Sequence, residues 1–406
     1  MREANAGDGS SDAGEALMSN RAYLDWNATT PLRPEARDAM VAACDVVGNP
    51  SSVHGEGRAA RALIEEARRQ VAALVGAEPR HVAFTSGGTE ANLMALSPAL
   101  ERDSDKAPRD RLLLSAIEHP SVRCGGRFPP RSVEEVAVGP DGRVDLGALE
   151  RRLVDGAGRP LVAIMLANNE TGVIQPIAEA SEIVHRAGGL LHVDAVQAVG
   201  KIPCDIKSLG ADLLSLSAHK LGGPKGIGAL VRREQGLHLA DPLMRGGGQE
   251  RGARGGTENV VGVAGFGAAA AAAAAALPGE RARVAALRER LEAGLKALSG
   301  AAVIFGAGVE RLPNTSLFAV PGVKADTALI ALDLDGVAVS SGAACSSGKV
   351  AASHVLTAMG VDAELARGAI RVSLGRSTTE EEIDAFLGAW NRLVYALPKR
   401  THGVAA

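Results

Sequence analysis

Lys220 lies in the stretch Ser217–Gly226, where a short apolar run ends and glycines follow. A lysine at a strand end before a glycine-rich turn can project into a crowded site and form a Schiff base with a carbonyl group. Asp194 ends a second apolar run, Leu190–Asp194. A buried carboxylate there needs a cationic or hydrogen-bonding partner, such as a protonated pyridine nitrogen. Taken singly, Lys220 could equally be a surface lysine and Asp194 a helix N-cap.

A third candidate is Thr85–Asn92, with the sequence TSGGTEAN. Here a strand runs through glycines into a helix start, where free backbone N–H groups can hold a phosphate. The stretch is neither a Walker loop nor a GxGxxG fingerprint. A near match to that fingerprint, Gly265–Ala270, lies in an alanine-rich helical segment with no strand before it. A Schiff-base lysine, an acid for the pyridinium and a phosphate cup together predict a pyridoxal-phosphate (PLP) enzyme.

His119 and Cys345 are the remaining candidates. A PLP ring needs a flat group to stack on it, and the chain has only six Phe, two Trp and two Tyr. His119 is our candidate for this position, and its ring can also move protons because an ordinary histidine pKa is about 6.5. The alternative for His119 is a strand-end histidine bonded to backbone. Cys345 lies in a small, polar stretch that predicts an accessible thiol, and its alternative is an incidental loop cysteine.

Short apolar runs separated by helical segments form the elements that must position these residues. They predict an α/β fold in which a mostly parallel sheet is flanked by helices. The predicted strands are Val82–Thr85, Arg111–Ala116, Leu161–Ala167, Leu190–Asp194, Leu213–Ser217 and Gly228–Arg232. Several of them end in polar clusters, and ligands of open α/β sheets bind at the carboxyl ends of the strands. We therefore expect one large site.

The chain is expected to divide into three parts. Residues 1–20 form a mobile acidic leader, and residues 21–277 form an N-terminal segment and a large PLP-binding domain. Residues 278–406 form a small C-terminal α+β domain that carries the Cys345 loop, because helix-rich segments there surround short strands.

Composition excludes several classes of function. The 44 Lys+Arg and 47 Asp+Glu form no basic stripe, so no direct nucleic-acid partner is expected. The chain start lacks a secretory signal, and Val260–Leu277 is so rich in Ala and Gly that it predicts a soluble helix rather than a membrane span. The four cysteines form no CxxC pair and lie at no metal-ligand spacing, which predicts reduced thiols, no metal site and a cytoplasmic location.

Several spaced motifs occur in an order typical of one family. They are Tyr23–Pro31, Gly48–His54, TSGGTEAN, Glu118-His119, Asn168–Gly172, HVDAVQ, SAHKLGGPKGIGAL and Arg254–Thr257. On these motifs, from about Tyr23 to Leu397, the chain resembles the cysteine desulfurases (NifS/IscS-like) of the class V aminotransferase family, within the fold-type I PLP enzymes. The resemblance implies conversion of L-cysteine to L-alanine by a homodimer.

The resemblance also implies a role for each matching residue. Lys220 would bind PLP covalently, His119 would stack on its ring and move protons, and Cys345 would take the sulfur as a persulfide. Asp194 would pair with the pyridinium nitrogen, Gln197 would contact the phenolic oxygen, and Asn169 would lie beside cofactor and substrate. The phosphate would be held by Gly88, Thr89, Ser217, His219 and, from the neighbouring subunit, Thr257. Arg371, assisted by Asn27, would bind the substrate carboxylate.

The sulfur would then pass to acceptor proteins, an iron–sulfur scaffold or another thio-cofactor route. Two enzyme alternatives remain, a selenocysteine lyase and a plain class V aminotransferase; a transaminase has no use for the Cys345 thiol. A third alternative is a protein whose main role is to dock sulfur acceptors. The chain departs from its relatives at Trp26 and in the tail Leu397–His402, which lacks an aromatic ending, so the identity of the acceptor stays open.

Overall fold

The computed structural model describes residues 21–342 and 353–396. The predicted leader, Cys345 and the C-terminal tail lie outside these residues. The larger part of the fold is a seven-stranded sheet whose central strands are buried throughout. Its strands run, across the sheet, in the order Val82–Thr85, Gly228–Arg232, Leu213–Ser217, Leu190–Asp194, Pro160–Met165, Arg111–Ser115 and Val133–Val136.

The predicted α/β class with a mostly parallel sheet is confirmed, with one strand that differs. Gly228–Arg232 pairs antiparallel with both of its neighbours, although its apolar run predicted another parallel strand. The chain reaches it from Leu213–Ser217 through residues 218–227, which hold only the short helical turn Ala218–Lys220. A parallel partner requires a crossover of about a dozen residues or more, so this connection returns the chain in the opposite direction.

Helices cover the sheet, and small residues let them approach closely. The long helix Val260–Leu298 packs against Pro34–Cys44 and Gly55–Leu74. At Gly267 an added Cβ would lie 2.5 Å from the Cα of Ala67, so only glycine fits that crossing. Val260–Leu298 is long and apolar enough to span a membrane, but half of its most apolar window is buried inside the protein. The alanine-rich segment is therefore a core helix, as predicted.

A smaller antiparallel sheet follows. Its strand order is Val303–Ile304, Thr315–Ala319, Ile370–Ser373 and Ser340–Ser341. Its core includes the ring of Trp390, which lies edge-on to Phe318 at a centroid distance of 5.0 Å. Ala22–Tyr23 joins this part by pairing parallel with Val337–Ala338. The N-terminal segment thus crosses from the small sheet towards the edge of the large one.

The remaining elements complete the two parts. The other helices are Gly88–Ala95, Pro120–Arg123, Leu146–Asp155, Ile177–Arg186, Ala325–Leu334, His354–Ala358, Ala363–Arg367 and Glu380–Ala396, and Leu100–Arg102 pairs with Leu237–Leu239. The proposed boundary between residues 277 and 278 lies inside Val260–Leu298, which packs its first half in the large core and its second half, from Val284 onward, in the small one.

Candidate active site

A cavity opens at the carboxyl ends of the parallel strands. Its empty volume is about 1200 Å³, including space open to solvent. Nine of the predicted site residues line it: Gly88, Thr89, His119, Asn169, Asp194, Gln197, Ser217, His219 and Lys220. Residues that are far apart in sequence thus meet at one edge of the sheet, because the carboxyl ends of parallel strands share that edge.

Lys220 is held on one side of the cavity by the N-terminal segment. It ends the helical turn Ala218–Lys220 that follows strand Leu213–Ser217. Its Nζ donates hydrogen bonds to the carbonyl oxygens of Asn27 at 2.6 Å and Ala28 at 2.9 Å. The amine is therefore anchored at the cavity wall and is only partly exposed.

Asp194 presents a buried carboxylate to the cavity. Its Oδ2 accepts a hydrogen bond from Nδ2 of Asn92 at 2.8 Å, and its Oδ1 accepts one from the backbone N–H of Val196 at 3.0 Å. The side chain is fixed by these donors, and each oxygen retains capacity for a further donor. Sequence reasoning singled out Asn92 only as part of TSGGTEAN and missed this contact.

The start of helix Gly88–Ala95 forms a close-fitting cradle. A Cβ added at Gly88 would lie 2.8 Å from Cγ2 of Val196 and 3.4 Å from Cβ of Ser217, so a larger residue would collide with the wall. Glycine also leaves the first backbone N–H groups of the helix open to an anion. The start of this helix is therefore a candidate site for a phosphate group.

Both histidines of the cavity favour the neutral ring. Burial, reinforced by the Lys220, Lys225 and Lys201 cations, lowers the pKa of His219 to about 4. Burial also lowers the pKa of His119, with Asp194 opposing and Lys220 adding to the shift. Nδ1 of His119 lies 2.8 Å from Oγ of Ser121 and accepts the Ser121 backbone N–H at 3.2 Å, which leaves the ring proton on Nε2. His119 is therefore both bonded to backbone and part of the cavity wall.

Arg371 and Asn27 lie just behind the wall. The guanidinium of Arg371 donates to Oδ1 of Asp25 at 2.8 Å and to the carbonyl oxygen of Asn169 at 3.0 Å. Its Nε is buried and has no hydrogen-bond partner among residues 21–342 and 353–396, so it retains a donor within this part of the chain. Nδ2 of Asn27 donates to Oγ1 of Thr315 at 2.9 Å and to the Asn169 carbonyl at 3.2 Å.

Sequence reasoning missed Lys201, which follows Gln197 by four residues. Its Nζ donates to Oε1 of Gln197 at 2.8 Å and to Oδ1 of Asn27 at 2.9 Å. Burial, together with the Lys220 and Arg371 cations, lowers the pKa of Lys201 well below its usual value. The one available signal was its spacing, since i and i+4 positions lie on the same side of a helical turn.

Two buried carboxyl groups lie behind the cavity, Glu118 and Glu170. Burial raises the pKa of Glu118 to about 8 and that of Glu170 to about 7. Oε1 of Glu118 accepts hydrogen bonds from Oγ of Ser115 at 2.6 Å and from the Met165 N–H at 2.8 Å, whereas its buried Oε2 has no partner in the described part of the chain. Burial thus favours the protonated form of Glu118.

The Glu118→Gln variant is expected to reduce the loss of stability at alkaline pH. Burial raises the folded-state pKa of Glu118 from 4.5 to about 8, so the folded chain binds more protons than the unfolded chain in this range. The free energy of unfolding therefore carries a contribution that is fully present below pH 4.5 and is lost as pH rises through 8. An uncharged glutamine keeps the Oε1 acceptor and cannot ionise.

Thermal unfolding checks this expectation. Relative to the unsubstituted chain, Glu118→Gln should raise Tm by about 2–4 °C more at pH 8.5 than at pH 5.5. Glu182→Gln, a substitution at an exposed glutamate, should give no such difference. An equal change at both pH values would show that Glu118 is ionised in the folded protein.

Two predicted site residues remain, Thr257 and Cys345. Thr257 is exposed and lines a neighbouring cavity of about 650 Å³ with Ser86, Gly226 and Arg254, apart from Lys220. Cys345 lies outside the described residues. Among residues 21–342 and 353–396, no group of three or more His, Cys, Asp or Glu side chains could hold a metal ion.

Comparison with known proteins identifies the family of this chain. Residues 22–386 match the family model of class V aminotransferases. The chain is 46% identical over 373 residues to a cysteine desulfurase of Cereibacter sphaeroides, covering 90% of this chain and 94% of that protein. It is 41% identical over 367 residues to the cysteine desulfurase NifS of Azotobacter vinelandii, covering 89% and 90%.

Solved structures agree with these relatives. A NifS-like protein from Rickettsia africae superimposes with a TM-score of 0.83 at 36% identity, covering 93% of this chain and all of that one. The sequence match and the structural match both span nearly the whole chain, so they include every element that lines the cavity. The chain therefore belongs to the class V aminotransferase family and, within it, to the cysteine desulfurases.

Proposed function

We propose that this cysteine desulfurase binds PLP in the large cavity, converts L-cysteine to L-alanine there and transfers the sulfur to Cys345 as a persulfide. The persulfide sulfur then passes to an iron–sulfur scaffold or to another protein acceptor in thio-cofactor synthesis. The observation that carries the proposal is the meeting of Lys220, Asp194, His119 and the Gly88 cradle around one cavity.

The residues of the cavity fit PLP. The class V aminotransferase family implies this cofactor, and a phosphate fits the Gly88 cradle, where an added Cβ would collide with Val196. Ser217, His219 and Thr89 would complete the phosphate site. The Asp194 carboxylate can accept a further hydrogen bond, as a pyridinium N–H would donate. Bound there, PLP supplies an electron sink for carbanion chemistry at the amino acid Cα.

The chain's own residues then move the protons. Nζ of Lys220, once displaced by the substrate amine, takes the proton from Cα. Because burial holds His119 in the neutral form, its ring can take a proton from a thiol in the site and return it. Removing that proton matters because the thiolate is the nucleophile in sulfur transfer.

Arg371 is proposed to bind the substrate carboxylate, with Asn27 and Asn169 beside it. Two of its guanidinium nitrogens already have partners in Asp25 and Asn169. Its unpartnered Nε is a donor available for a carboxylate oxygen. Bidentate binding through Nε would also use Nη2, the nitrogen on the same edge of the guanidinium, which would then exchange its contact with Asp25 for the substrate.

Two structural proposals accompany this function. The exposed position of Thr257 supports a homodimer in which it reaches the phosphate of the neighbouring subunit. The two separate hydrophobic cores support a large PLP-binding part and a small C-terminal part divided near residue 278. A third proposal concerns location: the partly buried position of Val260–Leu298 in the core of the protein supports a cytoplasmic enzyme.

An assay of L-alanine and sulfide formation tests the function. With PLP and a thiol reductant, L-cysteine should yield the two products in equal amounts with no keto-acid acceptor. Selenocysteine, added as a competitor, separates a selenocysteine lyase from a desulfurase. Candidate acceptor proteins added in turn should raise the rate where they remove the persulfide. Formation of 3-mercaptopyruvate together with the amino acid corresponding to an added keto acid, and no turnover without that keto acid, would instead identify a transaminase.

A further inference from the structure

The side chain of Lys201 lies between Gln197 and the N-terminal segment. Its Nζ donates to Oε1 of Gln197 at 2.8 Å and to Oδ1 of Asn27 at 2.9 Å. None of the roles assigned above uses this lysine. We propose that Lys201 is a positioning residue that orients the Gln197 amide so that its NH₂ group faces the phenolic oxygen of PLP. The inference rests on the proposed contact between Gln197 and the cofactor.

The side-chain amide of Gln197 has two different polar groups. Gln197 can present either an acceptor oxygen or a donor NH₂ group to the cavity. An amine or ammonium group of a lysine offers N–H donors, so Lys201 attracts Oε1 and turns Nε2 the other way. In the structure Nε2 of Gln197 donates to the carbonyl oxygen of Asn27 at 3.0 Å.

That carbonyl oxygen connects Gln197 to Lys220. Nζ of Lys220 donates to the same Asn27 oxygen at 2.6 Å. The NH₂ group of Gln197 and the amine of Lys220 therefore both donate to the carbonyl oxygen of Asn27 and lie close together. When Lys220 holds the cofactor, an amide in this orientation presents a donor to a phenolate; the reversed amide would present an oxygen and repel it.

Packing alone does not account for a lysine at position 201. The Lys220 and Arg371 cations disfavour a charge there and lower the pKa of Lys201. A methionine of similar length would fill the space without that cost, since replacing a poorly compensated buried charge by an apolar side chain is often neutral or stabilising. The contact with Gln197 is what methionine cannot reproduce.

A double-mutant cycle tests the proposal in the holoenzyme. The readout is the pH titration of the visible absorption band of bound PLP, which reports the proton shared between the Lys220 nitrogen and the phenolic oxygen. A donor to that oxygen favours its negative charge, so losing the donor raises the titration midpoint. Lys201→Met and Gln197→Ala should each raise it by about 0.5–1 pH unit, the worth of one hydrogen bond.

The coupling between positions 201 and 197 shows whether Lys201 acts through the Gln197 amide. The double variant should match Gln197→Ala alone, because Lys201 acts through that amide. Lys201→Arg, which keeps the donors, should restore most of the original midpoint, and Lys207→Met, a change at an exposed lysine, should leave it unchanged. Tm of Lys201→Met should not fall; if that variant does not fold, the polar and shorter Lys201→Ser takes its place in the cycle.

Three results would overturn the inference. Lys201→Met could leave the midpoint unchanged while Gln197→Ala shifts it, which would remove Lys201 from this role and keep the Gln197 contact. If Lys201→Met shifted the titration midpoint equally in the Gln197 and the Gln197→Ala backgrounds, Lys201 would act on the cofactor directly through its charge. No shift in Gln197→Ala would reject the contact with the cofactor, and the inference with it. The proposed desulfurase function is tested separately, by alanine formation in the unsubstituted enzyme.

Discussion

The Lys220→Ala variant is expected to lose both the visible absorption band of bound PLP and desulfurase activity, the latter by at least about 10³-fold. Nζ of Lys220 is the atom that would bond the cofactor covalently, and an alanine side chain has no such nitrogen. The substitution also removes the base proposed for the Cα proton. The measurements are the absorption spectrum after incubation with PLP and the rate of L-alanine formation from L-cysteine.

Lys220→Arg separates the charge of the lysine from its covalent chemistry. A guanidinium can still donate to the Asn27 and Ala28 carbonyl oxygens that hold Nζ in the structure. Its pKa stays above 12, so it has no free electron pair at neutral pH to form a C=N bond. We expect Lys220→Arg to fold as stably as the unsubstituted chain and to be as inactive as Lys220→Ala.

Lys207→Ala serves as the control, since Lys207 is exposed and lies outside the cavity lining. It should retain the absorption band and the full rate. If Lys220→Ala kept the band, another lysine would be the covalent site, and Lys225 of the same cavity would be the first to replace.

Charged side chains of both signs surround the cavity and bear on the proposed binding of an anionic cofactor and an anionic substrate. Lys220 and Lys225 line it together with the carboxylates of Asp194 and Glu90, and Arg371 lies directly behind it, in contact with Asp25. Both histidines add no charge, because burial and these cations lower their pKa values. The Asp194 carboxylate is held by Asn92 and Val196. A phosphate and a substrate carboxylate would thus be attracted by the Lys220 and Lys225 cations, while Asp194 would be available to the pyridinium.

The sequence was sufficient to predict the fold class and the meeting of residues at one sheet edge. Four predicted strands, among them Leu190–Asp194, have the bounds that the structure gives them. Buried parallel strands are continuous apolar runs bounded by polar turns, so local sequence marks both their extent and the residues at their ends. The direction of Gly228–Arg232 was not predictable in this way, because an apolar run is the same in either direction.

Contacts between distant segments were beyond local sequence patterns. In the sequence Lys201 resembles any loop lysine, because its contact with Asn27 arises only when the N-terminal segment packs against it. Likewise, the raised pKa of Glu118 arises from complete burial, which depends on the assembled core. The prediction for Arg371 named only the substrate carboxylate and Asn27, whereas the structure shows that its guanidinium donates hydrogen bonds to Asp25 and Asn169. Each of these properties belongs to tertiary packing.

The Cys345→Ser variant is expected to lose transfer of sulfur from L-cysteine by about 10³-fold or more while it still binds PLP. A serine hydroxyl has a far higher pKa than a thiol and cannot attack the substrate sulfur to form a persulfide. Of the remaining cysteines, Cys204 cannot replace it, since burial raises the pKa of Cys204 to about 12. Cys44 and Cys124 are exposed thiols and therefore provide matched controls.

Three single variants separate the thiols. Cys44→Ser and Cys124→Ser should retain the rate of alanine and sulfide formation. In the unsubstituted enzyme, mass spectrometry after brief exposure to L-cysteine should find the added sulfur on the peptide that contains Cys345. Cys345→Ser should show the intact PLP absorption band, which distinguishes a lost nucleophile from a misfolded site. Sulfide release at the original rate in Cys345→Ser would refute the persulfide route. Loss of activity in Cys124→Ser instead would identify Cys124, the C-cap residue of helix Pro120–Arg123, as the nucleophile.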